Sequence, residues 1–430
     1  MQLLYNLLLL LASPFLLPFA VFKGLPYGDT LGSLKERMGF LPKGAVETLK
    51  DSRVFWVHAV SVGEVRASQP LIRALKQNDP EAKIVLSCMT FTGNQIARDV
   101  VDADLVIFFP FDLPSIVKRT LGRINPSVIV IIETEIWPNF IRCARERNIP
   151  LVLANGRISR KSFARYLLVR KVVAGLLKSF SVICVQDVVS ARRIRKIGAP
   201  VDRIHVTGNM KFDLGVEPLD QNSFAAKLGE SGLLDKHFVW VAGSTRSGEA
   251  EQLIECHRRL QQNGLTSFMI LAPRHPSRCS AVAELLKSAG VPFALRSEMG
   301  HTSDLSEQCQ VLLVDTVGEL KDFYAIAEVV FVGGSLVPKG GHNILEPSCL
   351  GKPVLFGPHM FNFQEISQLV LNAGGGYMVA DARELRQLLE QLQHDSNLRQ
   401  KMGQAGQQLI SRNVGATQLT MTKIKKLTEA

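Results

Sequence analysis

Acidic side chains are in short supply: 39 Asp and Glu stand against 50 Lys and Arg, a formal charge of +11 over 430 residues. That imbalance points to an acidic partner, whether nucleic acid, anionic lipid or a phosphorylated substrate. Paired cysteines are missing as well. The seven cysteines (Cys88, Cys143, Cys184, Cys256, Cys279, Cys309 and Cys349) include no C-x-x-C, so neither a disulfide framework nor a zinc site is indicated, and they read as core residues of a cytosolic protein. There is no H-E-x-x-H. Of the nine histidines, His58, His275, His342 and His359 fall near expected strand ends, but without ligand spacing or an aspartate-rich companion, so no metal is expected. Neither a Walker lysine motif nor G-x-G-x-x-G after a strand is present, which disfavours ATP or dinucleotide chemistry. Nor is there a nucleic-acid recognition motif or an aromatic-basic platform, so nucleic acid is not an expected partner.

Charge is absent altogether from residues 1–22, MQLLYNLLLLLASPFLLPFAVF, and Lys23 is the first basic residue after them. That length suffices to cross or embed in a bilayer. A cleaved signal peptide would carry a basic stretch before the apolar run and a small-residue cleavage site after it, and both are missing. The run reads as an uncleaved membrane anchor, with a cleaved signal or a buried core helix as alternatives. Pro14 and Pro18 are placed to kink it or make it re-entrant. Lys23, Lys35 and Arg37 follow it, so the positive-inside rule puts the bulk of the chain on the cytoplasmic side.

What is present is a repeated alternation of β-branched runs and helical patterns, the signature of a parallel sheet covered on both faces. The chain is long enough for two domains of about 200 residues. Strands are expected at 54–60, 83–90, 105–111, 128–135, 150–156, 181–187 and 204–209, then at 238–245, 267–275, 311–316, 329–335 and 352–358. The polar stretch 213–236 reads as a linker between one Rossmann-like domain over 23–212 and another over 237–430. Two doubly wound α/β domains of this kind bind ligands at the carboxyl ends of their strands, in the cleft between them.

Several strand ends are polar beyond what packing requires. Glu64 follows the first strand, and VIVIIETEIWPN ends an apolar run with Glu133 and Glu135. Each glutamate alone could be a helix cap or an ion-pair partner. Together with Lys211 at the end of the last strand of the first half, they suit base catalysis with charge stabilisation. In the second half, Arg274 ends a strand, and GGSLVPKGGHNILEP (333–347) is a glycine-rich loop running into a helix expected near Asn343. Such a loop favours a phosphate through its backbone N–H groups, with Glu346 within reach of ribose hydroxyls; the plainer alternative is a flexible turn and a capped helix. Residues 156–180 hold arginines and lysines but no acid, at helical spacing with apolar residues. They read as a surface for anionic lipid or acceptor phosphates, or as an ordinary solvated face.

The strings HAVSVGE, ETEIWPN, LANGRIS, VTGNMKFD, VAGST, PRHP, DTVGEL, FVGGSLVPKGGHNILEP and VLFGPHMFNF, in this order, resemble the 3-deoxy-D-manno-octulosonic acid (Kdo) transferases of lipopolysaccharide assembly. The resemblance covers nearly the whole chain. It implies a GT-B glycosyltransferase at the bacterial inner membrane, moving Kdo from CMP-Kdo onto a lipid A precursor with inversion and without a further cofactor. By the family pattern Glu64 is the general base, and Glu133 and Lys211 stabilise the transition state. The CMP contacts fall on Pro273, Arg274, Val317, Gly318, Glu319, Asn343, Ile344, Leu345 and Glu346. Apart from that pattern, Ser335 and Gly341 are expected to shape the phosphate loop. Another nucleotide-sugar glycosyltransferase or epimerase is the alternative from the same fold, and a non-catalytic membrane-bound scaffold the alternative from another class.

Overall fold

The computed structural model describes residues 5–7, 9, 11, 30–41, 43–214, 219–232, 236–302, 305–306 and 308–428. Most of the apolar run expected as an anchor over 1–22 lies outside the described residues. Among the described residues, no helix is long and apolar enough to cross a membrane. Near its start, the Tyr5 hydroxyl donates to Asp112 Oδ2 at 2.9 Å and Asn6 Oδ1 accepts from Asn139 at 2.7 Å.

The chain forms two compact units, Met1–Leu214 with Asn413–Ala430, and Gly215–Arg412. The first is built on β1 (Val54–His58), β2 (Lys83–Cys88), β3 (Leu105–Phe108), β4 (Val128–Ile132), β5 (Leu151–Gly156), β6 (Val182–Val185) and β7 (Ile204–Val206). They form one parallel sheet in the order β3-β2-β1-β4-β5-β6-β7. Every residue of β1 and β4 is buried, as strands covered on both faces require. Alternate residues go to opposite cores: Trp56, Ile129 and Ile131 to one, Phe55, Val57, Val128, Val130 and Ile132 to the other.

The second unit has β8 (Phe238–Thr245), β9 (Ser267–Pro273), β10 (Phe293–Leu295), β11 (Val311–Leu313), β12 (Val329–Val332), β13 (Val354–Phe356) and β14 (Gly376–Met378). These lie in the order β10-β11-β9-β8-β12-β13-β14, again all parallel. The edge strands β10 and β14 were not expected from sequence. Both are three residues long and only partly covered, so they carry no continuous apolar run. Several strands also stop earlier than expected. The fourth ends at Ile132 because Glu133 takes a left-handed backbone, φ +60°, and β9 ends at Pro273, which has no N–H to continue a ladder.

Two domain boundaries differ from expectation. The second domain does not run to 430, because residues 413–430 return to the first unit. The helix Ala416–Thr428 buries Ala416, Met421 and Ile424 in the same core as Val65 and Leu71 of the helix Val62–Asn78. Its start is capped by Asp213, whose two oxygens accept from Gly415 N and Thr417 N, each at 2.7 Å. The expected linker 213–236 is also not a bare connection. Its described residues from 219 belong to the second unit, where the helix Phe224–Glu230 buries Phe224, Ala225 and Leu228. Asp213→Ala leaves two helix-terminal amides without their charged acceptor, a loss of about 1–3 kcal/mol. Urea unfolding of the first unit should show it as a lower midpoint, with Asp213→Asn intermediate because one acceptor remains; an unchanged midpoint would mean that the tail's apolar contacts alone hold it.

Candidate active site

In the first sheet the chain leaves β1 towards β2 and β3 on one side, and returns to β4 and onward on the other. The carboxyl ends of β1 and β4 therefore flank the point where strand order reverses, the place where open α/β sheets bind ligands. Glu64 and Glu133 occupy those two ends. The helix Val62–Asn78 starts just after β1 with Ser61 as its N-cap, and Glu64, three residues on, turns its carboxylate back to accept from Val60 N at 2.7 Å and Ser61 Oγ at 3.1 Å. These two bonds tie the carboxylate to the turn just ahead of the helix and leave it little freedom. The residue is only 8% exposed. Burial first, then the charges of Glu133 and Glu135, push it up from 4.5 to about 8, against the lowering effect of Val60 N–H and Ser61.

Glu133 sits on its left-handed residue with its N–H bonded to Ala154 O at 2.9 Å, so its side chain departs from the line of β4. Lys211 Nζ stands 3.1 Å from Glu133 Oε1. Two asparagines hold the lysine's short 3₁₀ turn, Met210–Asp213: Asn155 Oδ1 at the end of β5 accepts from Met210 N, and Asn209 Oδ1 accepts from Lys211 N, both at 3.0 Å. Asn155, itself at φ +57°, was not singled out from sequence, although an Asn-Gly strand end is the signal that marks such a turn. Glu135 joins the group, its carboxyl pushed up to about 7 by burial and by Glu133. The fold thus brings Glu64, Glu133, Glu135 and Lys211 to one strand-end crevice of the first unit.

In the second sheet the reversal lies between β8 and β12. At the end of β8, Arg246 directs Nε to His342 Nε2 at 3.2 Å and a terminal nitrogen to His275 Nε2 at 2.7 Å. Arg274 follows β9, its N–H bonded to Thr245 O at 3.0 Å. Burial first, then Arg274 and Arg278, lower the proton affinity of Arg246 against the opposing charge of Glu249; burial and the charges of all three arginines do the same to His275. Among the described residues, no carboxylate forms an ion pair with Arg246, Arg274 or Arg278. The ends of β8 and β9 therefore carry a locally electropositive surface. Arg246, Arg278 and Glu249 were missed from sequence because their role appears only once three strand ends meet.

The glycine-rich loop after β12 differs from expectation. Its amides at Gly334, Ser335 and Leu336 all donate to the carboxylate of buried Glu249 and are not offered to a phosphate. Ser335 and Gly341 do shape the loop: Ser335 Oγ donates to Val332 O at 2.5 Å and accepts from Gly357 N at 2.8 Å, while Gly341 N donates to Gly334 O at 2.8 Å. The expected helix is a single turn, Leu345–Cys349. Before it, Asn343 Nδ2 donates to Glu346 Oε1 at 2.9 Å and Asn343 Oδ1 accepts from Leu345 N at 3.1 Å, with Ile344 and Leu345 buried. The Glu346 charge also raises the proton affinity of buried Tyr324, after burial itself.

Pro273 is half-buried beside exposed Arg274, and Val317 and Gly318 are exposed, Gly318 at φ +97°. Glu319 is fully engaged: Oε1 accepts from Arg296 Nε at 3.1 Å and from a terminal nitrogen at 2.7 Å, and Oε2 accepts from Thr316. Among the described residues no group of three or more His, Cys, Asp or Glu could hold a metal ion. His58 is buried against Phe109 and Ser87, and burial pushes it down to about 3.

A family model described as 3-Deoxy-D-manno-octulosonic-acid transferase (kdotransferase) matches residues 32–214. A 3-deoxy-D-manno-octulosonic acid transferase of Haemophilus influenzae is 35% identical over 430 residues, 99% of this chain and 98% of the relative. One of Bordetella pertussis is 31% identical over 379 residues, 86% of each. The crystal structure of Acinetobacter baumannii MurG aligns over 87% of this chain and 99% of that one, with a TM-score of 0.51 at 13% identity, a likeness of fold. With that identity running end to end along the chain, the protein belongs to the Kdo transferase family of glycosyltransferases.

Proposed function

We propose that the protein moves Kdo from CMP-Kdo onto a hydroxyl of a lipid A precursor, inverting the anomeric carbon, as an enzyme of the GT-B type. The observation that carries this reading is the strand-end group Glu64, Glu133 and Lys211, in which a rigid, buried carboxyl with a proton affinity near neutrality stands beside a charged pair. In an inverting displacement, the acceptor oxygen attacks the ketosidic carbon on the face opposite the leaving CMP. The C–O bond to the nucleotide phosphate breaks as the new C–O bond forms, and the acceptor's proton goes to Glu64. Glu133 favours the positive charge that develops on the sugar, while Lys211 balances an anion, the Kdo carboxylate or the departing phosphate. No cofactor beyond the donor enters this scheme.

For the donor, Arg274 with Arg246 and Arg278 supplies positive charge suited to the CMP phosphate. Pro273, the Val317–Glu319 turn and Asn343, Ile344, Leu345 and Glu346 are proposed as the nucleoside contacts. Because Glu319 is held by Arg296 and Thr316, its contribution is assigned to backbone rather than carboxylate. We place the protein at the inner face of the bacterial cytoplasmic membrane, with anionic lipid as a partner. The uncharged residues 1–22 support this, as do the exposed Leu167, Leu168 and Val169 among arginines and lysines of the helices Arg160–Leu168 and Arg170–Leu177.

The test is transfer by the purified protein from CMP-Kdo to tetra-acylated lipid A precursor, with products resolved by mass. Products heavier by one or more Kdo units, absent when UDP-sugars replace CMP-Kdo, are expected. No product from CMP-Kdo together with turnover of a UDP-sugar would overturn the reading in favour of another nucleotide-sugar enzyme.

A further inference from the structure

Glu249 is the N-cap residue of the helix that follows β8, Ala250–Gln262, yet its side chain makes no capping hydrogen bond to that helix. The carboxylate is fully buried and accepts four backbone N–H groups from two separate loops. Oε2 takes Arg246 N at 2.8 Å and Gly334 N at 2.6 Å; Oε1 takes Ser335 N at 3.0 Å and Leu336 N at 2.9 Å. Four N–H donors thus fill both carboxylate oxygens, and the Glu249 charge also acts on the Arg246 guanidinium. Arg246, whose own amide is one of the four, directs its guanidinium to the two imidazoles of His275 and His342, neither of which neutralises it. The packing leaves no slack between the loops. A Cβ at Gly333 would lie 2.7 Å from Thr245 Cα and 3.0 Å from Glu249 Oε2, and one at Gly334 would lie 2.9 Å from the His342 ring.

We propose that Glu249 is a positioning residue for the donor phosphate: it knots the turn after β8 to the loop after β12, and so holds the Arg246 cation, with Arg274 and Arg278, where a nucleotide phosphate is received. This rests on the donor reading given above. Arg246, Arg274 and Arg278 carry like charges close enough to lower the proton affinity of Arg246 and His275, and with no carboxylate in an ion pair with them among the described residues they form a site completed by an anion. Glu249 touches no substrate and acts through Arg246 and His342.

The test compares CMP with cytidine as probes of the full-length protein, binding being measured by calorimetry. A purely structural defect would weaken both ligands, whereas loss of phosphate positioning weakens only CMP. Glu249→Gln, which has one acceptor oxygen for four donors, is expected to weaken CMP about 10- to 100-fold, the scale of a charge-assisted phosphate contact, with cytidine binding unchanged. Glu249→Asp keeps the charge but falls a methylene short, and is the second variant should Glu249→Gln fail to fold; it is expected to show the same selective loss. Arg246→Gln, which leaves the amide on Glu249, must reproduce that loss as well. Equal weakening of CMP and cytidine in the Glu249 variants, or CMP binding as tight as wild type in any of the three, overturns the proposal. If wild type binds no CMP, the donor reading itself fails, and that outcome is read on the unmutated protein alone.

Discussion

Glu64→Gln is expected to lower kcat for Kdo transfer by at least about a hundredfold while leaving CMP affinity unchanged. The amide oxygen of glutamine can still accept from Val60 N, so the helix start survives and only proton uptake is lost. The pH dependence makes the same point independently. Burial and the neighbouring carboxylates put the Glu64 carboxyl at about 8, so in the free protein the base form is the minor one at neutral pH. The value of kcat/KM should therefore climb with pH, about tenfold per unit, until it levels near 8. Stability should move the opposite way. A carboxyl raised from 4.5 to about 8 by folding favours the folded state below the lower value, and that contribution is lost as pH rises through the upper one. Glu64→Gln carries no such loss, so its unfolding temperature should gain on wild type between pH 5 and pH 9. A variant that keeps near-wild-type turnover would reduce Glu64 to a structural tie of the turn before its helix, with Glu135, at about 7, the next candidate for the base.

Much of this was legible because a buried parallel sheet writes itself as continuous apolar runs, and an acid or base directly after such a run marks the strand's carboxyl end. VFWVH with Glu64 in the turn of helix that follows it, and VIVII followed by Glu133, marked the strands and the strand ends that the structure brings together. Three things were hidden, each for a physical reason. FAL and GYM, at the sheet edge, are too short and too exposed to carry a pattern. The C-terminal helix looks amphipathic in sequence whichever unit it covers, and only its packing with Val65 and Leu71 and the two amides on Asp213 show that it covers the first. Glu249 sits in a polar stretch where nothing in the local pattern distinguishes a solvated glutamate from one gathering four amides. The same blindness produced the error over the glycine-rich loop: sequence shows that amides are available but not which acceptor takes them, and here an internal carboxylate does.

Lys211→Met is the other variant expected to have a large effect, a loss of about 100- to 1000-fold in kcat, the scale of removing one preorganised charge from an active site. Its value lies in the direction of the accompanying pH shift. Lys211 is 3.1 Å from Glu133, and Glu133 is one of the charges that raise the Glu64 carboxyl. With the lysine gone, the Glu133 charge acts on Glu64 without compensation, so the acid limb of the kcat/KM profile should move to higher pH. Glu133→Gln removes that charge and should move the limb to lower pH, at a cost in kcat of its own. The double variant lacks both partners and should lie close to Glu133→Gln, because Lys211 reaches Glu64 largely through Glu133. Three profiles thus test one electrostatic circuit. If the two single variants shift the limb in the same direction, the proton they report is not held by Glu64 under the influence of Glu133, and Lys211 must instead be acting on the donor's anion alone.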